Sequence, residues 1–248
     1  KAGMTFAAAL RSILRCDPDI VMIGEMRDQE TASIGIEAAL TGHLVLSTLH
    51  TNTAPGAIPR LIEMGIEPYL VSSSILGVLA QRLARRLCTC KEAWVPDRDY
   101  LSRMGFPSEV VEGESIQLHR AVGCTRCNGS GYKGRLAIHE VMLMSEEIAH
   151  AAGEHASAED LARIALSQGM MDLTADGVRK ILLGHTTMEE LQAFAGLKET
   201  ILGLGSFDPP EDESEWLLIA SSHRHSPSAI EGRGDGETNG SERSSFSK

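Results

Sequence analysis

Apolar positions in the first ninety residues alternate between helical and strand periods. Residues 5–15 carry Phe6, Leu10, Ile13 and Leu14 at helical spacing, which predicts an amphipathic helix buried through those four side chains. Asp17-Pro18-Asp19 ends it, because proline has no N–H to donate and disfavours helix in the residue before it. Ile20-Val21-Met22-Ile23 follows, closed by Gly24-Glu25; an unbroken apolar run of this length predicts a strand buried on both faces. Residues 29–40 return to the helical period and stop at Thr41-Gly42. A second buried strand is expected over 43–50, a helix over 53–64, and a further helix opening at Pro68. Strand, helix, strand, helix at this spacing predicts an α/β fold, with a parallel sheet flanked by helices.

The pattern then breaks. Residues 87–135 hold four of the five cysteines among many glycines, prolines and charges. Gly134 to Val141 alternates like a strand leaving that segment, and His139 reads as one of its polar positions. Ser145 caps a short helix whose first turn carries Glu146 and Glu147, acids that complement the helix dipole. Three more helices are expected over 158–167, 172–183 and 187–195, so that 136–197 forms a return strand and a C-terminal helical subdomain. Residues 198–248 contain ten Ser, six Gly and three Pro and carry a net charge of −5, from five basic and ten acidic residues. A segment of that composition has too little to bury to offset its ordering entropy, which predicts a disordered acidic tail.

Composition narrows the class. The chain has 248 residues, 42% of them apolar and 4% aromatic, so its core is built from Ala, Leu, Ile, Val and Met. A net charge of −11 argues against sequence-independent nucleic-acid binding, which needs Lys and Arg to displace counterions. No apolar run approaches the roughly 18–20 residues that span a bilayer, and the first residues lack the basic-then-apolar pattern of a signal peptide. The chain begins at Lys1, already close to a helical pattern, and is expected to be a piece of a longer polypeptide.

Ligands of parallel α/β sheets bind beyond the carboxyl ends of the strands. Those ends here carry Glu25, Arg27 and Asp28 after the first strand, and Thr48, His50 and Asn52 after the second. An apolar strand that delivers an acid to a phosphate site follows the logic of a Walker B element, in which the acid holds Mg²⁺ through water or orients the attacking water. Glu25 suits either role, and His50 could donate to a terminal phosphate. Taken alone, Glu25 is equally a solvated loop carboxylate and His50 a satisfied structural histidine.

The longer context carries more. Residues 17–28 (DPDIVMIGEMRD) closely resemble the atypical Walker B of the type II/type IV secretion ATPases, and residues 38–52 (AALTGHLVLSTLHTN) resemble their His box. The resemblance runs from residue 1 to about 197 and includes residues 80–88. It implies the C-terminal part of a RecA-like P-loop NTPase core over 1–86, in a homo-hexameric motor that hydrolyses ATP with Mg²⁺. It further implies work on an inner-membrane platform protein from the cytoplasmic face of the membrane, in pilus assembly or protein secretion. By the same resemblance Glu25 matches the Walker B acid, and His43 and His50 match the His-box histidines, with His50 the phosphate contact. Arg27, His43 and Thr48 are then nucleotide or subunit contacts. Arg82, Arg85 and Arg86 read as a solvated helix face.

One family element is missing from these residues. No GxxxxGK[ST] occurs, and the family's P-loop lies upstream of Walker B; residues 129–135 (GSGYKGR) have glycines and a lysine but not that spacing. These 248 residues alone are therefore expected neither to bind nor to hydrolyse ATP appreciably, and to leave a hydrophobic sheet edge prone to self-association.

Cys88-Thr89-Cys90, 33 intervening residues, and Cys124-Thr125-Arg126-Cys127 form a candidate Cys₄ site for Zn²⁺, which takes four thiolates from two paired knuckles. The second pair has the usual CxxC spacing; the first is one residue short, which tightens its bite. The family resemblance implies a tetracysteine insertion here, over 87–135, in assembly and secretion members but not in retraction motors. Cys16 stands alone and reads as a small core residue. Two rival readings stand beside the motor. One is a non-catalytic, zinc-stabilised assembly module. The other is an Hsp40-like zinc domain, of which a single CxxCxGxG repeat is present where four are needed.

Overall fold

The structure, a computed structural model, describes residues 5–104, 106 and 116–193. The tail over 198–248 and the last residues of the helix expected to 195 lie outside the described residues. Helix α1 (Phe6–Leu14) starts where Thr5 Oγ1 accepts the N–H of Ala8 at 3.2 Å. It buries Ala7 and Leu10 against the next helix, whereas Phe6 and Ile13 face solvent. The buried stripe is thus rotated from the expected one: Leu10 and the partly buried Leu14 are kept, and Ala7 takes the place of Phe6 and Ile13. Cys16 follows the helix and is exposed, not the core residue expected; its Sγ lies 3.7 Å from the Ser12 carbonyl oxygen.

Strand β1 (Ile20–Ile23), helix α2 (Gln29–Leu40) and strand β2 (Leu44–Ser47) form a parallel unit, with Ile20 beside Leu44 and Ile23 beside Ser47. Asp28 caps α2 by accepting the N–H of Thr31 at 2.8 Å. The strands are not buried on both faces. Val21 and Ile23 point into the core, while Ile20, Met22, Leu44 and Leu46 share an exposed face. Among the described residues, helices cover one side of this pair only. Helices α3 (Ala57–Glu63) and α4 (Pro68–Ser74) follow.

The largest departure from expectation is residues 77–87. They form a strand, β3 (Gly77–Leu87), antiparallel to the long β6 (Tyr132–Leu143), with Ala80 opposite Glu140 and Arg82 opposite Ile138. Arg82, Arg85 and Arg86 therefore lie on a strand and not on a helix face. The register shifts between Arg85 and Leu87, so the inward positions fall at Ala80, Ala84 and Leu87. Between the two strands the chain forms β4 (Glu92–Trp94), helix α5 (Arg98–Arg103), β5 (Leu118–Arg120) paired with β4, and a 3₁₀ turn over Thr125–Cys127. Helices α6 (Glu146–Gly153), α7 (Ala158–Ser167), α8 (Leu173–Leu182) and α9 (Met188–Gln192) complete the described chain.

Two apolar cores result, and the β3–β6 ribbon joins them. The first gathers Leu10, Val21, Ile23, Ile58, Val71, Ile148 and Leu161 around Ala80 and Met142 of the ribbon. The second gathers Leu101, Leu118, Val178, Ile181 and Leu191 around Ala84 and Ile138. No helix among the described residues is long and apolar enough to cross a membrane.

Candidate functional site

The carboxyl ends of β1 and β2 lie side by side because the strands are parallel and in register. Two bonds fasten the loops that leave them: Met26 N–H donates to the Thr48 carbonyl at 3.1 Å, and Thr48 Oγ1 donates to the Gly24 carbonyl at 2.8 Å. Glu25 and His50 are thereby held face to face. Glu25 Oε2 lies 2.6 Å from Arg27 Nε and 3.2 Å from His50 Nε2. Arg27 first, and His50 second, hold the Glu25 carboxyl below the usual range, so Glu25 is a carboxylate at neutral pH. For that carboxylate to accept from the imidazole, Nε2 must carry the proton. The group is open: His50 and Arg27 are exposed and Glu25 is half-buried. Here one anion, one guanidinium and one imidazole converge at the ligand-binding end of a parallel sheet.

Of the residues singled out from sequence, Glu25, Arg27, Thr48 and His50 come together. His43 does not. It stands at the opposite end of β2, where Nδ1 lies 3.0 Å from the Ala38 carbonyl and 3.3 Å from Thr41 Oγ1, closing the end of α2. Two residues that the sequence did not place at the site adjoin it. Arg82 reaches from β3 to the loop after His50, its Nη2 2.9 Å from Asn52 Oδ1 and 3.2 Å from the Asn52 carbonyl oxygen. Glu140 of β6, 4% exposed, accepts the N–H of Ala54 at 2.6 Å. The signal for Glu140 was an acid on the same strand face as Ile138 and Met142, both of which are apolar and fully buried.

The four cysteines converge at the far end of the β3–β6 ribbon. Their Sγ atoms all lie within 4.8 Å of one another, with Cys88–Cys124 and Cys90–Cys127 at 3.9 Å and Cys124–Cys127 at 3.7 Å. Tetrahedral Zn²⁺ with Zn–S bonds of about 2.3 Å spaces its sulfurs about 3.8 Å apart. The missing residue in the first pair does not splay the sulfurs. Backbone geometry adds to the fit: Cys124 N–H and Gly131 N–H donate to Cys127 Sγ at 3.1 and 3.3 Å. Burial pushes the Cys127 thiol up, but those N–H groups, together with hydrogen bonds from the Cys124 and Cys90 thiols, more than offset it and bring it to about 6, while burial pushes Cys90 up to about 12. A metal replaces such shared protons. A cavity of about 330 Å³ beside Cys88 is lined by Arg86, Lys91, Arg126 and Lys133, cations suited to the net −2 charge of a divalent ion with four thiolates. His139 takes no part: it pairs with Gln81 across the ribbon, and its backbone N–H donates to Asp176 Oδ2 at 2.7 Å.

Comparison with known proteins gives a consistent result. Residues 1–193 match the family model described as type II/IV secretion system protein. The chain is 52% identical over 194 residues to the type IV pilus assembly ATPase PilB of Thermus thermophilus, covering 78% of this chain and 22% of that protein. It is 50% identical over 192 residues to the type II secretion system protein E of Pseudomonas aeruginosa, covering 77% of this chain and 37% of that protein. The chain thus spans between about a fifth and two-fifths of the length of these relatives. Among solved structures, the pilus retraction motor PilT with bound ADP aligns with a TM-score of 0.53 and 24% identity, over 77% of this chain and 44% of that one. The ATPase DotB of Legionella pneumophila aligns with a TM-score of 0.51 and 21% identity, over 76% and 42%. These structural likenesses carry the fold alone, a RecA-like α/β core.

Proposed function

The chain belongs to the type II/IV secretion system protein family, and from that premise we propose that it is the C-terminal part of a hexameric motor that couples ATP hydrolysis to pilus assembly or protein secretion. The observation that carries this reading is the Glu25–Arg27–His50 cluster at the ends of two adjacent parallel strands. Glu25 holds Mg²⁺ through water or orients the attacking water, and His50, with its proton on Nε2, donates to the γ-phosphate. Arg27 keeps the Glu25 carboxylate ionised and aimed until nucleotide arrives. Thr48 serves the site by fastening the two loops. His43, at the far end of β2, serves as a subunit contact. These 248 residues contain no GxxxxGK[ST], and in this reading the chain by itself is inactive.

The segments divide the work. Residues 1–86 supply half of the nucleotide site, 87–135 form a zinc-held insertion, and 136–197 supply the return strand and the C-terminal helices. Cys88, Cys90, Cys124 and Cys127 would hold the zinc, which closes the insertion where it leaves the ribbon and does no chemistry. In this reading the protein acts from the cytoplasmic side on an inner-membrane platform protein. The test is turnover by the complete protein: Glu25→Gln and His50→Ala each lower kcat at least about a hundredfold while the hexamer persists on a sizing column. Turnover within a factor of two of the parent in both variants would end this reading.

A further inference from the structure

The loop that presents His50 is held from behind. It leaves β2 at Ser47 and enters α3 at Ala57. His50 stands near its start, exposed, with a single 3.2 Å contact to Glu25. That contact alone leaves the exposed imidazole free to turn away. The anchor is four residues on, at Ala54, which is fully buried and donates its N–H to Glu140 Oε1 at 2.6 Å. Two residues on, at Asn52, the loop meets the Arg82 guanidinium through both its carbonyl and its side-chain oxygen.

Both holding residues lie on the β3–β6 ribbon, Arg82 on one strand and Glu140 on the other, two register steps apart. Glu140 has a second task. Its other oxygen, Oε2, accepts the N–H of Leu173 at 3.4 Å, the first residue of α8. A buried carboxylate whose two oxygens are bonded to backbone in two different segments sets the distance between those segments. Burial pushes the Glu140 carboxyl up, and the two N–H groups oppose that.

We propose that Arg82 and Glu140 are positioning residues for the candidate ATP site: together they set where the His50 loop stands over Glu25, and Glu140 keys that loop to the start of α8. This inference rests on the reading of Glu25 and His50 as the hydrolytic pair. Neither Arg82 nor Glu140 touches the reacting groups; each acts through the loop. A displacement of about 1 Å in a catalytic group costs up to about a hundredfold in rate, so loosening the loop acts on kcat and leaves nucleotide affinity largely intact.

The experiment uses the complete protein with Arg82→Ala and Glu140→Gln, and reads steady-state turnover together with backbone amide exchange. Glu140→Gln keeps the size but replaces one acceptor oxygen by an NH₂ that cannot accept from Ala54 or Leu173, so one of the two backbone bonds is lost even where Glu140→Ala fails to fold. The expected result is a fall in kcat of about tenfold or more with KM within about twofold. Amides of residues 51–54 exchange at least about tenfold faster while those of α7 keep the parent rate. Arg82→Lys, which can still reach one of the two Asn52 oxygens, recovers part of both. Parent exchange rates at 51–54 in both variants would overturn the positioning role, as would parent kcat in a protein whose turnover Glu25→Gln abolishes. Turnover that survives Glu25→Gln defeats the functional reading instead, and the exchange rates still decide whether the ribbon holds the loop.

Discussion

Arg85 and Glu190 show how one pair of side chains fastens two parts of this molecule. Glu190 of α9 accepts from Arg85 Nε at 2.9 Å, from Arg85 Nη2 at 2.6 Å and from the Arg85 backbone N–H at 2.9 Å. The same guanidinium lies 4.3 Å over the Tyr132 ring, and Tyr132 Oη lies 2.9 Å from Thr187 Oγ1 beside α9. The Glu190 side chain is nearly buried but Arg85 is half exposed, so water screens part of the attraction. Glu190→Ala is expected to cost about 2 kcal/mol in denaturant unfolding, mostly from the hydrogen bonds lost by Arg85. The pH dependence follows from the direction of the shift. Burial raises the Glu190 carboxyl, but Arg85 more than offsets this and leaves it below its ordinary value. A depressed carboxylate adds stability above its unfolded value of about 4.3, and that stability is lost as pH falls through the folded value. Urea midpoints of the parent should therefore drop on acidification from pH 5 to pH 3 more than those of Glu190→Ala; equal drops would contradict the pairing.

At the scale of elements, the helix bounds near the N-terminus were legible and residues 77–87 were not. Helix α2 begins and ends where Asp28 and Thr41-Gly42 say it must, because capping is a local matter of backbone donors and acceptors. In β3 the buried positions Ala80 and Ala84 are two ordinary strand steps apart with half-buried Arg82 between them, and the irregularity between Arg85 and Leu87 brings Leu87 inward three further on; four and then three is also the spacing of a helix stripe. Sequence periodicity cannot separate the two; the partner strand β6 decides. The burial of β1 and β2 failed for a related reason, since a run such as Ile20 to Ile23 reports that both faces can be covered, not what covers them. Gly123 gives an element-scale prediction. Its φ is +108°, and an added Cβ would stand 2.5 Å from the Gly129 carbonyl oxygen, a backbone atom that cannot step aside. Gly123→Ala should misplace Cys124 and weaken metal affinity at least about tenfold, as read by competition with a chromophoric zinc chelator. Unchanged affinity would mean that this turn does not set the knuckle.

Across the whole molecule, one antiparallel ribbon serves both candidate sites, with the Cys₄ cluster at the end where β3 stops and β6 begins and the His50 loop against the ribbon's middle. The motif residues of both sites were legible because chemistry demands particular side chains at particular spacings. Arg82 and Glu140 were not, because their partners, Asn52 for the one and the Ala54 and Leu173 N–H groups for the other, lie far away in the chain. If zinc closes the insertion, protein purified without chelator carries about one zinc per chain, and stripping it lowers the thermal midpoint by several degrees. Zinc far below one equivalent would argue for four free thiols. The central claim is that Glu25 serves the hydrolytic step. Its most direct test is to compare, in the complete protein, the equilibrium affinity for ATP and the rate of phosphate release of the parent and of Glu25→Gln. The account predicts ATP affinity within about threefold of the parent and phosphate release slower by at least about a hundredfold. Phosphate release at the parent rate, with Glu25 replaced, would contradict it.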